Sequence, residues 1–279
     1  MASRVVFGIL PYVTVSIFAL GILFRWRTWL QTPVPLRIVT TPGPRTRVGV
    51  AWRLIGDILW FPNLFKADKP LWAAGWCFHI LLWLALLRHL RYFLYPVPGW
   101  VAGIQTVGLY AGYLIPIPIV FLLARRLLLE RTLYLSILGD YFALFLFLAI
   151  TLSGILLHLF FRTYLIDVKA LVNGLLHFEY QAPEVHWLFA FHFIGVMTLL
   201  VYFPFSKLVH GGGLLLSPTR NQRTNFEKRF VNPWDPSRGD FSGGDHSGGD
   251  IAAAYNDKNL STPEKYRQSL AEGKEGEKG

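Results

Sequence analysis

The chain has 279 residues, of which 53% are hydrophobic, 16% aromatic and only 16% charged, with a mean hydropathy of +0.39. Soluble domains carry about 25% charged residues, so this composition excludes an ordinary cytosolic domain, a disordered chain and a simple basic nucleic-acid binder. The formal charge of +10 is read as a topology signal of cytoplasmic loops rather than as a DNA-binding face.

In chain order, five stretches lack Asp, Glu, Lys and Arg over lengths that can cross a bilayer: Val5–Phe24, Leu71–Leu87, Trp100–Ala124, Tyr141–Phe161 and His186–Ser206. A spanning helix needs about 20 mostly apolar residues. The second stretch is short at 17, and it extends to Tyr95 if the Arg88 and Arg91 stems snorkel. The first is too long for a signal-peptide core and has no small-residue cleavage site after it, so it counts as a helix.

Residues 25–69 carry eight Lys or Arg, residues 96–106 none, residues 125–135 three, and residues 162–185 only Arg162 and Lys169 against three acids. Positive charge marks the cytoplasmic loops, so the N-terminus is expected outside and the C-terminus inside. The expected fold is an all-α membrane protein, a five-helix bundle over residues 1–215. The tail over 216–279 is expected to be cytoplasmic, largely irregular, and flexible from about residue 236, where Gly, Ser and Asp dominate. Ser261-Thr-Pro-Glu264 is a candidate cap for a short helix within it.

A single cysteine, Cys77, excludes an internal disulfide, c-type haem attachment and a cysteine-ligated iron–sulfur cluster. Eight histidines remain as metal ligands. His79 and His89 lie ten residues apart on the second span, and His192 and His210 eighteen apart on the fifth. At 100° per residue each pair can address one side of a bundle, and because the two helices are antiparallel the four rings fall at two depths. His89 and His192 form the outer level, and His79 and His210 the inner. Two haem groups b, each with both axial positions filled, suit electron transfer. One quantity resists: a continuous helix separates His192 from His210 by about 27 Å but His79 from His89 by only about 15 Å. Pro204 and Gly211-Gly-Gly213 are the residues that can bend or end the helix.

Gly75 and Gly195 offer small surfaces for a macrocycle, and Arg88, Arg91 and Lys207 are candidates to meet haem propionates. Arg88, Arg91, Asp167 and His186 are candidates for a quinone (menaquinone or ubiquinone) pocket near the outer level, where an acid or imidazole would accept the protons of a quinol. His158 reads as an interhelical hydrogen-bonding residue, and His177 and His246 as solvated loop residues. A haem-free transporter or anchor is the alternative of another class. A di-iron enzyme is weaker, since no span carries histidines at i, i+3 or i+4 spacing.

The ten- and eighteen-residue histidine spacings resemble the di-haem b membrane subunit of respiratory nitrate reductase, over roughly residues 1–215. That resemblance implies the same pairing, His89 with His192 and His79 with His210. The tail residues Ser217-Pro-Thr-Arg-Asn-Gln222, Lys228-Arg229 and Asn232-Pro-Trp234 resemble the DsrM family, the haem b subunit of the DsrMKJOP complex of dissimilatory sulfur metabolism. This implies a prokaryotic inner-membrane complex in which electrons pass between quinone and a cytoplasmic iron–sulfur subunit, DsrK-like and related to heterodisulfide reductase. Arg220, Arg223, Pro233 and Trp234 are then candidates for docking that partner.

Overall fold

Five helices in the computed structural model are long and apolar enough to cross a membrane: Val5–Gln31, Lys69–Tyr92, Gln105–Leu128, Leu138–Leu159 and Trp187–Phe205. The structure describes residues 2–32, 43–161, 163–179, 184–217 and 219–223, and no strand occurs among them. The five expected stretches and these five helices coincide, with ends moved by up to seven residues. The first helix runs on past Phe24 through Arg25 and Arg27 to Gln31. The third begins at Gln105 because Pro96 and Pro98 precede a separate turn of helix, Gly99–Gly103.

The chain divides into two units, Met1–Pro35 with Leu54–Ser217, and Leu36–Arg53 with Pro218–Gly279. In the second unit, the Arg53 guanidinium donates to the carbonyls of Thr219 (3.5 Å) and Arg220. Pro233, Trp234, His246 and the Ser261 cap all lie outside the described residues.

In the first unit the spans neighbour one another in the order first, fifth, fourth, third, second. The second span thus packs chiefly on the third, and the fifth on the fourth and first. Small residues set the closest approaches, as expected where lipid supplies no hydrophobic drive between helices. A Cβ on Gly108 would stand 2.6 Å from Arg88 Cβ and 2.7 Å from the Leu84 carbonyl oxygen. One on Gly21 would stand 2.7 Å from Pro204 Cγ, and one on Gly195 3.0 Å from Ile150 Cγ1. Gly195 therefore seats the fourth span on the fifth, and its surface is not open for a macrocycle.

At the centre, Ile115, Ile119 and Phe147 are buried and pack with Phe78, Leu81, Leu82, Ala85 and Leu144. Leu20, Phe24, Trp83 and Ile117 are among the many large apolar side chains left exposed. Such a surface is stable only against lipid.

Two helices of more than ten residues lie in the loops. Arg47–Trp60 ends beside the second span, where the indoles of Trp72 and Trp76 donate to the carbonyls of Trp60 (2.7 Å) and Leu59 (2.9 Å). The last carbonyls of a helix have no partner within it, and these two tryptophans satisfy them. They therefore do more than line an interface. Leu165–Leu176 follows the fourth span and carries Asp167 in its first turn.

Candidate functional site

The four histidines meet in two pairs, His89 of the second span with His192 of the fifth, and His79 of the second span with His210, which follows the fifth. His89 and His192 have ring centres 6.5 Å apart with planes 13° from parallel. His79 and His210 have ring centres 5.9 Å apart with planes 86° apart.

The 27 Å conflict is resolved by a break. The fifth helix gives way after Tyr202 to two short 3-10 turns, Phe203–Phe205 and Lys207–Val209, separated by Ser206 in an extended conformation (φ −113°, ψ 177°). His210 opens a new helix, His210–Leu216. Pro204 supplies no N–H to continue the helix. It is buried against Gly21, and its carbonyl accepts from the Arg25 guanidinium at 3.3 Å. The break returns His210 to the depth of His79.

Each of the four rings has its Nδ1 tied to a carbonyl. His79 Nδ1 donates to Gly75 O (2.6 Å), His89 to Ala85 O (2.6 Å), His192 to Ile150 O (3.0 Å) and His210 to Lys207 O (3.0 Å). A carbonyl only accepts, so Nδ1 carries the proton and the Nε2 lone pair is left for another partner. This is the orientation that metal-bound histidines take from their surroundings. His192 has a second anchor in Ser153, whose Oγ lies 3.0 Å from Nδ1 while its hydroxyl donates to Ile150 O at 2.9 Å. Gly154 completes the seat, since a Cβ there would come within 3.2 Å of His192 Cε1.

A histidine nitrogen binds a metal at about 2.0–2.1 Å, and ring centres 6.5 and 5.9 Å apart leave room for one such bond from each ring of a pair. The residues therefore fit two bis-histidine metal centres, a donor set of neutral nitrogen ligands suited to haem iron. Among the described residues no group of three or more His, Cys, Asp or Glu could hold a metal ion by itself.

The other histidines differ. His186 accepts at Nδ1 from the Leu188 amide (3.3 Å) and stacks on Phe161 at 4.2 Å. His158 Nδ1 lies 2.6 Å from the Tyr113 hydroxyl, bridging the third and fourth spans. His177 bonds Asn173 O at 2.9 Å but meets no second histidine ring among the described residues.

Arg88 lies against Gly108, between the second and third spans. Arg91 donates to Gln105 Oε1 at 3.2 Å, and the Gln105 amide donates in turn to the carbonyls of Val101 (2.9 Å) and Arg88 (3.3 Å). Arg91 and Gln105 also line a cavity of about 240 Å³ with Val97, Ala102, Leu165 and Lys169. Of the four quinone-site candidates, Arg91 alone lines this cavity; Arg88, Asp167 and His186 lie outside its wall. Gln105 and Lys169 were missed; the signal for Gln105 was a polar side chain just inside an apolar stretch, and Lys169 counted only as a loop charge.

Lys207 does not stand free for a propionate: its ammonium pairs with Asp140 at 2.9 Å. Asp140 also pairs with Arg126 at 2.7 Å. Nearby, Asp68 caps the second span through the Leu71 amide (2.9 Å) and pairs with Arg125 at 2.5 Å. The Leu71 amide first, then Arg125, hold the Asp68 carboxyl below its ordinary value of 3.8. Arg220 and Arg223 are described only in the second unit, where Arg220 receives Arg53.

The family of the nitrate reductase gamma subunit matches residues 64–220, a stretch that contains all four paired histidines. Over 84% of both chains, the protein is 36% identical to the Hdr-like menaquinol oxidoreductase cytochrome b-like subunit of Archaeoglobus fulgidus. The subunit of that name in Archaeoglobus profundus is 31% identical over 83% of both chains.

Proposed function

The chain belongs to the nitrate reductase gamma subunit family, and from that premise we propose that it is a membrane di-haem cytochrome b. In this reading it passes electrons between quinone and an iron–sulfur subunit of the heterodisulfide-reductase type. The observation that carries it is the histidine geometry. Two facing pairs join the second helix to the fifth at 6.5 Å and to the short helix after it at 5.9 Å, with every Nδ1 proton held by a carbonyl.

When bound, haem b supplies a reversible one-electron couple with no open site for oxygen. His89 and His192 would hold one haem, and His79 and His210 the other. Ser153 and Gly154 keep the His192 ring in place, and the carbonyls of Gly75, Ala85, Ile150 and Lys207 raise the basicity of the facing nitrogens. On loop charge, the His89 level faces the outer side and the His79 level the cytoplasm.

The cavity beside Arg91 is the quinone site in this reading. At about 240 Å³ it lies just under the usual range of ligand pockets, about 300–1,000 Å³, so it suits a headgroup whose isoprenoid tail stays in lipid. Gln105, Arg91 and Lys169 supply donors for its oxygens, and Val97, Ala102 and Leu165 an apolar wall. Menaquinol is supported by the names of the two archaeal relatives.

The lone Cys77 requires any cluster to sit on another chain. The basic first part of the tail, with Arg220, Arg223, Pro233 and Trp234, is the proposed docking segment for a DsrK-like partner. Placement in a sulfur-metabolism complex of the inner membrane rests on the tail's likeness to DsrM.

The test is a pair of variants in the whole complex. His89→Ala and His210→Ala should each remove one of two b-type signals, and not the same one, in a redox titration followed at the haem α-band. Variants that keep both signals, or a wild type that has none, would refute the assignment and favour a haem-free anchor.

A further inference from the structure

We propose that Asp140 is a positioning residue for the inner histidine pair. It clamps the break in the fifth span so that His210 reaches His79. The proposal rests on the di-haem reading above.

Seven residues, Phe203–Val209, lie between the last turn of the fifth helix and His210, and they hold no regular structure longer than a 3-10 turn. Such a segment has many conformations, and each residue held in one of them loses backbone freedom. Its register must therefore be fixed from outside. Three contacts from the first and fourth spans do this. Before the break, the Tyr202 hydroxyl donates to Gly139 O at 2.8 Å, and a Cβ on Gly139 would stand 2.9 Å from that hydroxyl. Within it, Pro204 is wedged on Gly21. Also within it, Lys207 reaches Asp140.

Asp140 is the hub. Its carboxylate is 9% exposed. One oxygen, Oδ2, takes the Lys207 ammonium at 2.9 Å, the Arg126 guanidinium at 2.7 Å and the Ile137 amide at 3.2 Å. Arg126 is itself held by Ser136 Oγ at 3.0 Å. The carboxylate is thus bound on both sides, by the third span through Arg126 and by its own helix start through Ile137. It offers Lys207 a fixed anchor.

Lys207 then passes the constraint on through its backbone. Its carbonyl, three residues before His210, accepts His210 Nδ1–H at 3.0 Å. One residue therefore carries both ends of the link: an ammonium on Asp140 and a carbonyl on the His210 ring. From the other side, Trp26 and Trp29 of the first span pack on Gly212 and Gly213, where a Cβ would stand 3.4 and 3.7 Å from the indoles. The outer pair has no such dependence, because His89 and His192 both lie within continuous helix.

The experiment uses the intact membrane complex carrying Asp140→Asn, Asp140→Glu or Lys207→Gln, with haem per chain, redox titration and low-spin electron paramagnetic resonance as readouts. Lys207 is 67% exposed, so its replacement leaves the core intact. The expected result is selective. Asp140→Asn and Lys207→Gln shift the potential and resonance of the haem at His79–His210, or release that haem, while the His89–His192 signal stays as in the wild type. Asp140→Glu restores the inner signal. If the wild type holds two haems and all three variants match it, the clamp is overturned while the di-haem reading stands. A wild type with no haem at this pair overturns both. Equal change in both haem signals also overturns the clamp, because it marks a general loss of packing.

Discussion

Replacing Gly154 by valine probes the outer pair without touching a proposed ligand. Even the first added carbon would come within 3.2 Å of His192 Cε1, whereas carbon atoms in ordinary contact lie about 3.5–4.0 Å apart. The ring must then move by roughly 0.3–0.8 Å for alanine and further for valine, whose two methyl groups extend beyond Cβ. Ligand positions in metal sites hold to about ±0.2 Å, so the smaller substitution already exceeds that tolerance. Retreat is opposed by the two anchors on Nδ1, Ile150 O and Ser153 Oγ, each at 3.0 Å. The expected outcome is graded: Gly154→Ala shifts the outer haem's potential and low-spin resonance, and Gly154→Val removes that haem, leaving one per chain. Gly112→Ala is the control, since a Cβ there meets nothing within 4 Å. Redox titration with haem quantification reads both effects. Two haems with unaltered resonances in Gly154→Val would refute the reasoning.

Three further outcomes follow from the same structure. Gly108→Ala forces a Cβ into the Leu84 carbonyl and Arg88 Cβ and should cost about 1–3 kcal/mol of stability, the usual range for overpacking, seen as earlier thermal unfolding in detergent. Gln105→Leu removes the amide that receives Arg91 and lines the cavity; the apparent KM for a menaquinol analogue should rise several-fold with the haem spectra unchanged, and an unchanged KM would move the quinone site elsewhere. Deleting residues 217–279 should release the iron–sulfur partner from isolated membranes while both haems remain, and retention of the partner would show that it docks on the loops.

The spans were legible because each must hide about 20 residues from water, a requirement that composition alone exposes. The histidine pairing was legible in register for a related reason: ionisable groups are scarce inside a bilayer, and ten- and eighteen-residue spacings leave few faces to share. What the spacing hid was the break. Pro204 and the three glycines signal a departure from helix, but not its direction. That direction depends on Gly21, Gly139 and Asp140, up to 183 residues away in the chain.

The same limit explains Lys207. Read locally, a lysine three residues before a ligand candidate suggests a propionate, whereas its actual partner, Asp140, is 67 residues distant. Asp140 itself fell just before the expected start of the fourth span and attracted no role. Ser153 and Gly154 were passed over as ordinary small residues of an apolar helix, where small residues serve packing more often than ligand orientation. The capping role of Trp72 and Trp76 was out of reach for the same reason, because the helix they cap, Arg47–Trp60, was itself not foreseen.

The most direct measurement is haem content per chain in the purified complex, taken with a reduced-minus-oxidised spectrum. Two low-spin haems b for each copy of this subunit are the predicted result. A complex that contains the subunit in full amount and shows no b-type bands would contradict the account.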